Sequence, residues 1–365
     1  MMNDLPKGWE EKRLGEIVEI VNGGTPSTGN EDYWNGNISW ITPKDLSNFE
    51  GRYISKGEKS ITKEGLKNSS AKILPKNTIL FSSRAPIGYV AIAKQEVSTN
   101  QGFKNIICDE VETHYLYMYY WLHNNAKQIE KLSSGSTFSE ASTSLMKSLK
   151  ITIPKIDEQK QIANILSSFD KKIELLKEQN QTLETMAQTI FKEWFVDFNY
   201  PNATGEMIDS EMGEIPKGWR VFKLEELVNT VNGYSYKGNE LVDESTEALV
   251  TLKSFNRNGG FQTRGFKPFQ GTPKKEQEVV IGDLIVAHTD LTQDAEVLGN
   301  PAFVFENGGF NKMYITMDLV KVNSKVQEIQ NSFLYYVMKD KRFKGHSVGY
   351  SNGTTVLHLS KKAIP

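Results

Sequence analysis

This 365-residue sequence lacks the residue patterns that mark the common catalytic and metal-binding sites. It contains a single cysteine, Cys108, which excludes a disulfide framework and a cysteine-based zinc cluster. Its five histidines show no metal-ligand spacing, and the chain has neither a GxxxxGKS/T nor a GxGxxG phosphate-binding loop. We therefore expect no catalytic residue, no metal and no cofactor in this chain.

One short segment approaches a catalytic motif without completing it. Asn300-Pro301-Ala302-Phe303 is similar to the Asn-Pro-Pro-Tyr/Phe motif with which adenine methyltransferases hold a flipped base, but its second proline is missing. No glycine-rich cofactor loop lies near it in the sequence. We interpret the segment as a turn. A stand-alone methyltransferase or nuclease with an unrecognised site is kept as an alternative.

Long apolar runs and a dominant charge of one sign are also absent. No stretch approaches the roughly 18 apolar residues of a membrane span, and the first residues form no apolar signal segment. The sequence therefore favours a cytoplasmic protein that does not contact membranes. Lysine and arginine together number 43, and aspartate and glutamate together number 45, so the formal net charge is −2.

The small net charge hides two strongly basic segments. Phosphate binding requires local positive potential, not a positive total. Solvated lysine-rich loops would give the same pattern, but its recurrence in both halves of the chain favours nucleic-acid binding. The basic residues are Arg52, Lys56, Lys59, Lys63, Lys67, Lys72, Lys76 and Arg84 in the first half, and Lys253, Arg257, Arg264, Lys267, Lys274 and Lys275 in the second.

The most informative feature that is present is an internal repeat. Residues 5–23 read LPKGWEEKRLGEIVEIVNG and residues 215–233 read IPKGWRVFKLEELVNTVNG, with 10 of the 19 aligned positions identical. A period near 210 residues is too long for a solenoid or propeller unit, which repeats every few tens of residues. Two similar domains at a fixed separation suit a ligand that offers two similar sites.

Each copy of the repeat has the pattern of an α+β domain. Short β-branched runs at 38–41, 78–81 and 89–92 are separated by glycine, proline and asparagine, and one apolar helical stretch follows at 113–131. The second copy repeats the helical stretch at 327–344. The sequence therefore predicts two similar α+β domains, at residues 1–155 and 201–365, and we assign Trp9 and Trp219 to their cores.

Residues 156–200, between the two copies, differ in kind. Apolar residues follow a heptad pattern over about 33 residues, which predicts a helix on the order of 50 Å long. Such a stripe requires a partner helix, so a homodimer through this helix is one possibility, and Asn180 in the stripe would fix the register. The predicted pairing residues are Ile162, Leu166, Phe169, Ile173, Leu176, Asn180, Leu183 and Ile190, with Ala187 and Trp194 continuing the stripe.

Several motifs together resemble the specificity subunit of Type I restriction–modification enzymes. They begin with the repeated Pro-Lys-Gly-Trp and Val-Asn-Gly and span essentially the whole chain. The others are Trp40-Ile41-Thr42-Pro43-Lys44-Asp45-Leu46, Ser83-Arg84-Ala85-Pro86-Ile87-Gly88, Asn100-Gln101-Gly102-Phe103, Ile153-Pro154-Lys155-Ile156-Asp157-Glu158-Gln159-Lys160-Gln161-Ile162-Ala163, and Phe191-Lys192-Glu193-Trp194-Phe195-Val196-Asp197-Phe198.

The resemblance implies a non-catalytic subunit that recognises double-stranded DNA. Each of two target-recognition domains would read one half of a bipartite sequence, and the helix between them would set the unread spacer. Methyltransferase (M) subunits using S-adenosylmethionine would dock on it, and restriction/translocase (R) subunits using ATP and Mg²⁺ would join for cleavage. Family members usually end with a second conserved helix, which this sequence does not reach. A shortened regulatory or scaffold form is therefore a further alternative.

We expect DNA contacts from polar and basic residues that recur in both copies. The Thr-x-Lys of the first copy, Thr42 and Lys44, matches Thr251 and Lys253 in the second, and a Gly-Ser/Thr-Thr sequence recurs after the helical stretch. Arg84 is expected to contact a guanine or a phosphate. The full set is Thr42, Lys44, Ser83, Arg84, Ser136, Thr137, Thr251, Lys253, Arg257, Arg264, Thr354 and Thr355.

Overall fold

The longest element of the structure is an α-helix at Ile156–Phe195, hereafter the central helix. A computed structural model of the chain describes residues 5–47, 49–84, 86–133, 140–256, 260–290, 295–353 and 357–359. The packing of the chain divides it into two units, Met1–Gln179 and Asn180–Pro365. Because the division falls within the central helix, each unit combines one domain with part of this helix.

The first unit is built from short strands and five helices that precede the central helix in the described residues. Its strands are β1 (Glu10–Arg13), β2 (Val18–Asn22), β3 (Trp34–Ile41), β4 (Tyr53–Ile54), β5 (Lys59–Ile61), β6 (Ile79–Ser83), β7 (Ile87–Ala93), β8 (Ser98–Thr99), β9 (Phe103–Cys108) and β10 (Lys150–Ile153). Its helices are α1 (Leu14–Ile17), α2 (Pro43–Leu46), α3 (Lys63–Lys67), α4 (Tyr115–Leu132) and α5 (Thr143–Ser148), with a 3-10 turn at Glu31–Tyr33; the central helix is α6.

Two sheets and one helix form the core of the first unit. Strands β2, β9, β6, β7 and β4 make a five-stranded sheet in that order, and β5, β3 and β8 make a smaller one. Helix α4 packs on the larger sheet, because Met118 and Leu122 on the helix and Ile79, Phe81 and Ile92 on the strands are fully buried in one cluster. Burial of each of these side chains stabilises the unit by about 1.5–3 kcal/mol.

The second unit has the same kinds of element. Its strands are β11 (Met207–Ser210), β12 (Gly213–Pro216), β13 (Val228–Asn232), β14 (Glu247–Val250), β15 (Lys267–Pro268), β16 (Glu278–Val279), β17 (Leu284–Ala287), β18 (Thr289–Asp290), β19 (Pro301–Phe303), β20 (Lys312–Ile315), β21 (Leu319–Ser324), β22 (Ser351–Asn352) and β23 (Leu357–Leu359). Its helices are α7 (Leu224–Leu227), α8 (Asn331–Lys339) and α9 (Lys341–Gly349), with 3-10 turns at Gly238–Glu240, Leu252–Ser254, Thr263–Gly265 and Lys275–Gln277.

The central strands of the two units follow the same order. The order β2-β9-β6 in the first unit corresponds to β13-β21-β17 in the second, and β5-β3-β8 corresponds to β15-β14-β20. In both small sheets the middle strand has one antiparallel and one parallel neighbour. The prediction of two similar α+β domains joined by a long helix is confirmed.

The repeated glycine of Val-Asn-Gly is explained by a close backbone approach. A Cβ on Gly23 would lie 1.9 Å from the carbonyl oxygen of Asn100, and a Cβ on Gly233 would lie 2.0 Å from that of Thr316. These two carbonyls belong to equivalent residues. The amide of Asn100 donates to the carbonyl of Ile41, the last residue of β3, and the amide of Thr316 donates to the carbonyl of Val250, the last residue of β14, both at 3.0 Å. Any side chain at either glycine would therefore separate the two sheets of its domain.

Three sequence-based predictions for local structure are wrong. The helical stretch predicted at 327–344 is two helices, because Asp340 is extended and its carboxylate accepts the amide of Arg342 at 2.9 Å as the cap of α9. The segment interpreted as a turn at 300–303 is largely strand β19, paired with β17. Trp9 and Trp219 are half-buried, not core residues.

The apolar stripe of the central helix is largely exposed. Ile162 is half-buried against the core of the first unit, whereas Phe169 and Leu183 are 64% and 62% exposed. The side of the helix that is buried in the first unit is small and polar: Gln159, Ala163 and Ser167. The stripe residues exposed in the described structure are Leu166, Phe169, Ile173, Leu176, Asn180, Leu183, Ile190 and Trp194.

Gln159 fixes the start of the central helix. It is 1% exposed, its side-chain oxygen accepts the amide of His114 at 2.9 Å, and its side-chain nitrogen donates to the carbonyls of Glu112 and Pro154, both at 2.9 Å. One buried amide thus joins the segment before α4 to the strand–helix junction at 153–156. Because all its capacity to donate is used, its burial is not penalised by an unpaired polar group.

We predict that the exposed stripe makes the full chain self-associate, since an apolar seam of this length gains free energy when a second helix covers it. The double substitution Ile173→Glu and Leu183→Glu should give a smaller species in light scattering. A control with Gln161→Glu and Gln179→Glu adds the same charge at exposed helix positions outside the stripe and should leave the mass unchanged. A wild-type chain that is monomeric with an ordered central helix would contradict the prediction.

Candidate nucleic-acid interface

The first predicted contact region follows β3, where the chain turns into helix α2. Thr42 caps this helix: its amide and its hydroxyl both donate to Asp45 Oδ2, each at 2.7 Å. Lys44 is exposed, and its Nζ lies 2.8 Å from Glu58 Oε2. The hydrogen bond and charge of Glu58 raise the pKa of Lys44. The hydroxyl therefore holds the turn, and the lysine presents a charge that is partly offset.

The equivalent turn of the second unit follows β14 and carries Lys253. Thr251 is buried, and its hydroxyl donates to the carbonyl of Gly265 at 2.8 Å. Lys253 is exposed and has no ion pair among the residues that the structure describes. The two threonines thus serve the same turn, while the two lysines differ in the charge they offer to a ligand.

Arg84 belongs to a cluster around one carboxylate. Glu140 lies 3.2 Å from Arg84 Nη2 and 3.1 Å from Lys104 Nζ. Burial alone would raise the pKa of Glu140, but the hydrogen bonds and charges of Lys104 and Arg84 lower it overall. Arg84 remains exposed, so a surface cation is held in one orientation. Ser83 is fully buried, and its hydroxyl donates to the carbonyl of Gly102 at 3.1 Å.

The prediction that Ser83 and Thr251 contact DNA is wrong. Both residues are buried, and both hydroxyls already donate to carbonyls within the domain. Arg264, in contrast, is exposed and has no described ion pair. The remaining predicted contacts, Ser136, Thr137, Arg257, Thr354 and Thr355, lie outside the described residues.

In the part of the chain that the structure describes, most of the other lysines of the basic segments are exposed, Lys267 is half-buried, and several have no carboxylate partner. Unpaired cations of this kind retain their full charge for a phosphate, whereas ion-paired ones must first give up their partner. Within the described ranges, the lysines with no ion pair are Lys56, Lys59, Lys63, Lys67, Lys72 and Lys76 in the first unit and Lys267 and Lys275 in the second. Each unit thus carries local positive charge despite the net charge of −2.

Arg52, the first residue of the basic segment, has a different role. It is 6% exposed, and its guanidinium contacts the central helix: Nε lies 3.1 Å from Glu174 Oε1 and Nη1 3.5 Å from Asp170 Oδ2. Tyr120 on α4 accepts from Arg52 at 3.2 Å and donates to Asp170 at 2.5 Å. This network attaches the first domain to its half of the helix.

The second domain is attached through a related network around Glu184. The carboxylate accepts from Lys339 and, at 3.4 Å each, from the hydroxyls of Tyr335 and Tyr336 on α8. Burial and the charge of Glu184 raise the pKa of Tyr336 to about 12. Sequence reasoning missed both attachments. A signal was available, because the dipeptide Tyr-Tyr occurs twice, at 119–120 and 335–336, near equivalent points of α4 and α8.

A groove of about 910 Å³ lies within the second unit, beside the C-terminal end of the central helix. Its lining is mainly apolar and aromatic and includes Phe195, Trp219, Phe222 and Phe333. A wall of this composition suits packing against apolar side chains and not phosphate binding. Among the described residues no group of histidine, cysteine and carboxylate side chains could hold a metal ion, and no helix is long and apolar enough to cross a membrane.

Residues 6–185 match the family model of the Type I restriction modification DNA specificity domain. The chain is 44% identical over 245 residues to the Type I restriction enzyme MjaIX specificity subunit of Methanocaldococcus jannaschii, which covers 67% of this chain and 57% of that subunit. It is 28% identical over 378 residues to the putative MjaX specificity subunit of the same organism, covering 100% of this chain and 83% of the relative. This chain belongs to the family of Type I specificity subunits.

One further relative and one solved structure show how much of the chain matches known Type I specificity subunits. The Escherichia coli EcoR124I/EcoR124II specificity subunit is 36% identical over 169 residues, which are 44% of this chain and 41% of that subunit. The chain thus spans about half the length of this relative and of MjaIX. The crystal structure of a Type I S subunit from M. genitalium superposes with a TM-score of 0.55 at 19% identity, covering 100% of this chain and 84% of the other, which shows a shared fold.

We predict that the Glu184 attachment stabilises the second unit in a pH-dependent way. Burial would raise the pKa of Glu184, but the hydrogen bonds and charge of Lys339 and its neighbours lower it overall. Since the folded pKa is lowered, this stabilisation is present above the ordinary glutamate pKa and is lost as the pH falls through the folded value. Glu184→Gln should therefore cost about 1–2 kcal/mol at neutral pH.

Urea denaturation of the full chain at neutral and acidic pH measures this effect. Glu306→Gln is a matched control, because Glu306 is exposed and has no ion pair within the described ranges. The difference between wild type and Glu184→Gln should shrink in acid, while Glu306→Gln should match wild type throughout. A difference that stays constant with pH would show that the carboxylate charge is not what stabilises the unit.

Proposed function

We propose that this chain recognises a bipartite sequence in double-stranded DNA as the specificity subunit of a Type I restriction–modification complex. Each domain reads one half of the target, and the central helix sets the unread spacer. The observation that carries the proposal is the duplicated fold: two domains whose central strands follow the same order, each attached to its own part of one continuous helix. Membership of the specificity-subunit family supports it.

The side chains on the repeated frame support two different half-sites. The equivalent turns after β3 and β14 present Lys44 paired with Glu58 in one domain and an exposed, unpaired Lys253 in the other, among the described residues. Where the first domain has exposed Arg84 after β6, the second has the buried residues Thr289 and Asp290. Thr289 donates to Asp318 at 3.0 Å, and Asp290 accepts the amides of Val297 and Leu298. Different donors on the same backbone would read different bases, because base recognition depends on the pattern of donors and acceptors.

The proposal assigns no chemistry to this chain. Methylation would reside in M subunits that bind S-adenosylmethionine, and cleavage in R subunits that use ATP and Mg²⁺. The exposed stripe of the central helix supports docking of another helix, from an M subunit or from a second copy. The complex would act on cellular DNA in the cytoplasm. The alternatives of a stand-alone methyltransferase or nuclease have no support among the relatives, which are named specificity subunits.

We predict modular recognition. Exchanging residues 20–150 for those of a related specificity subunit should change one half of the methylated sequence and leave the other half and the spacer as they were, because the central helix and second domain are retained. Methylome sequencing of a host strain carrying the matching M subunits measures both halves at once. A swap that changed both halves together, or neither, would contradict the two-domain model.

We also predict that cations of the second domain bind phosphates. Replacing Lys253, Arg257 and Arg264 together with alanine should weaken binding to all duplexes, and the slope of log K against log[salt] should fall by about 0.9 for each phosphate that is no longer bound. Binding of the full chain to a labelled duplex over a salt series gives the slope. Lys223→Ala, Lys312→Ala and Lys217→Ala remove the same charge from lysines that already pair with a carboxylate. A slope unchanged by the first triple substitution would place this segment away from DNA.

A further inference from the structure

One lysine occupies the same register position in both small sheets. On β5, Lys59 lies opposite Trp40 of β3, and on β15, Lys267 lies opposite Leu249 of β14. Trp40 and Leu249 are equivalent, because each is the residue before the last in the middle strand of its sheet. The two lysines are therefore structural counterparts. They lie 208 positions apart, so the offset of 210 that aligns the sequence repeat does not pair them.

Each of these lysines contacts an uncharged aromatic side chain. Exposed Lys59 has its Nζ 5.6 Å from the centre of the Trp34 ring. Half-buried Lys267 has its Nζ at the same distance from the centre of the Tyr236 ring and donates to the Tyr236 hydroxyl at 3.3 Å. The rings come from different places: Trp34 is the first residue of β3, and Tyr236 lies in the loop after β13. In both domains an uncharged aromatic side chain thus holds the lysine, although the aromatic residue comes from a different part of the chain, which simple duplication of sequence does not explain.

The aromatic side chain holds the ammonium without neutralising it. A cation near a ring face is attracted by the ring quadrupole, as for Lys59, and a phenol hydroxyl accepts a hydrogen bond while it stays neutral, as for Lys267. Each pair therefore keeps a net charge of +1. Neither lysine has a carboxylate partner among the described residues, in contrast to Lys44 and Lys104. Trp34 is itself fixed, because its Nε1 donates to the carbonyl of Ser27 at 3.1 Å and its ring packs edge-on against Trp40 with the centroids 5.0 Å apart.

A lysine that occurs at the same position in both domains is expected to bind a part of DNA that both half-sites share. The half-sites differ in sequence, whereas the sugar–phosphate backbone is the same in each, and phosphate contacts set the position of a protein on DNA without reading bases. A cation held in one place also loses less conformational freedom on binding than a free lysine does. The ring of Trp34 is occupied by Trp40 and Lys59, so the lysine, not the ring, is the group that reaches the ligand.

We propose that Lys59 on Trp34 and Lys267 on Tyr236 are matched phosphate clamps, one in each domain, that position the two domains on the DNA backbone. The proposal rests on the proposed function, since it names the residues through which that DNA is held.

The test uses the full chain and a fluorescein-labelled DNA duplex of arbitrary sequence, with binding measured by anisotropy over a salt series. Lys59→Ala and Lys267→Ala should each lower the slope of log K against log[salt] by about 0.9, and the double variant by about 1.8. Lys59→Arg and Lys267→Arg keep the charge and should restore the slope. Trp34→Leu also keeps the charge but frees the ammonium, so affinity should fall while the slope stays near that of wild type.

Lys150→Ala and Lys217→Ala are the controls, because these exposed lysines already pair with Glu11 and Glu206. An equal decrease of the slope in the controls would show a general charge effect and overturn the clamps. The clamps would also be overturned if wild type binds DNA and the slope of log K against log[salt] is unchanged in Lys59→Ala and Lys267→Ala. Wild type that does not bind duplex DNA at any salt concentration would instead refute the proposed function itself. Thermal unfolding of each variant confirms that the fold is intact.

Discussion

The structure depends on how buried and half-buried polar groups attach each domain to the central helix. Gln159 joins the segment before α4 to the first turn of the helix through three hydrogen bonds of 2.9 Å, and Arg52 and Tyr120 attach the same domain further along. Glu184 holds α8 of the second domain. These hydrogen bonds and ion pairs orient each domain on its part of the helix more strictly than apolar packing does, because each donor must meet its acceptor at a defined angle and distance.

The two domains share a frame and differ in what they display. The equivalent glycines Gly23 and Gly233 keep two sheets in close contact in each domain, and Thr42 and Thr251 hold the same turn. On that frame the charges are arranged differently: Lys44 pairs with Glu58, and Lys253 is exposed without an ion pair in the described structure. The proposed recognition of two different half-sites requires this combination, since the shared frame sets the position on DNA and the side chains set the preference for bases.

Charge in this protein is a local property. The chain as a whole is slightly acidic, yet carboxylates such as Glu174 and Glu184 are used within the domain–helix attachments. This leaves lysines such as Lys63 and Lys67, on α3, without ion pairs on the described surface. Acidic residues that hold the architecture together are not available to screen the cations at a surface, so the net charge is a poor guide to phosphate binding.

The sequence alone determined the duplication, the α+β class, the long helix and the family. The repeat, with 10 of 19 aligned positions identical, and the heptad period can both be recognised without a structure. Local residues decide such features. The tertiary structure decided which of the candidate residues face solvent: Ser83 and Thr251 are buried, and Arg52 belongs to the helix attachment. It also decided that Lys59 and Lys267 are counterparts. Their partners Trp34 and Tyr236 lie 25 and 31 positions away in the chain, and only the folded chain brings each aromatic side chain into contact with its lysine.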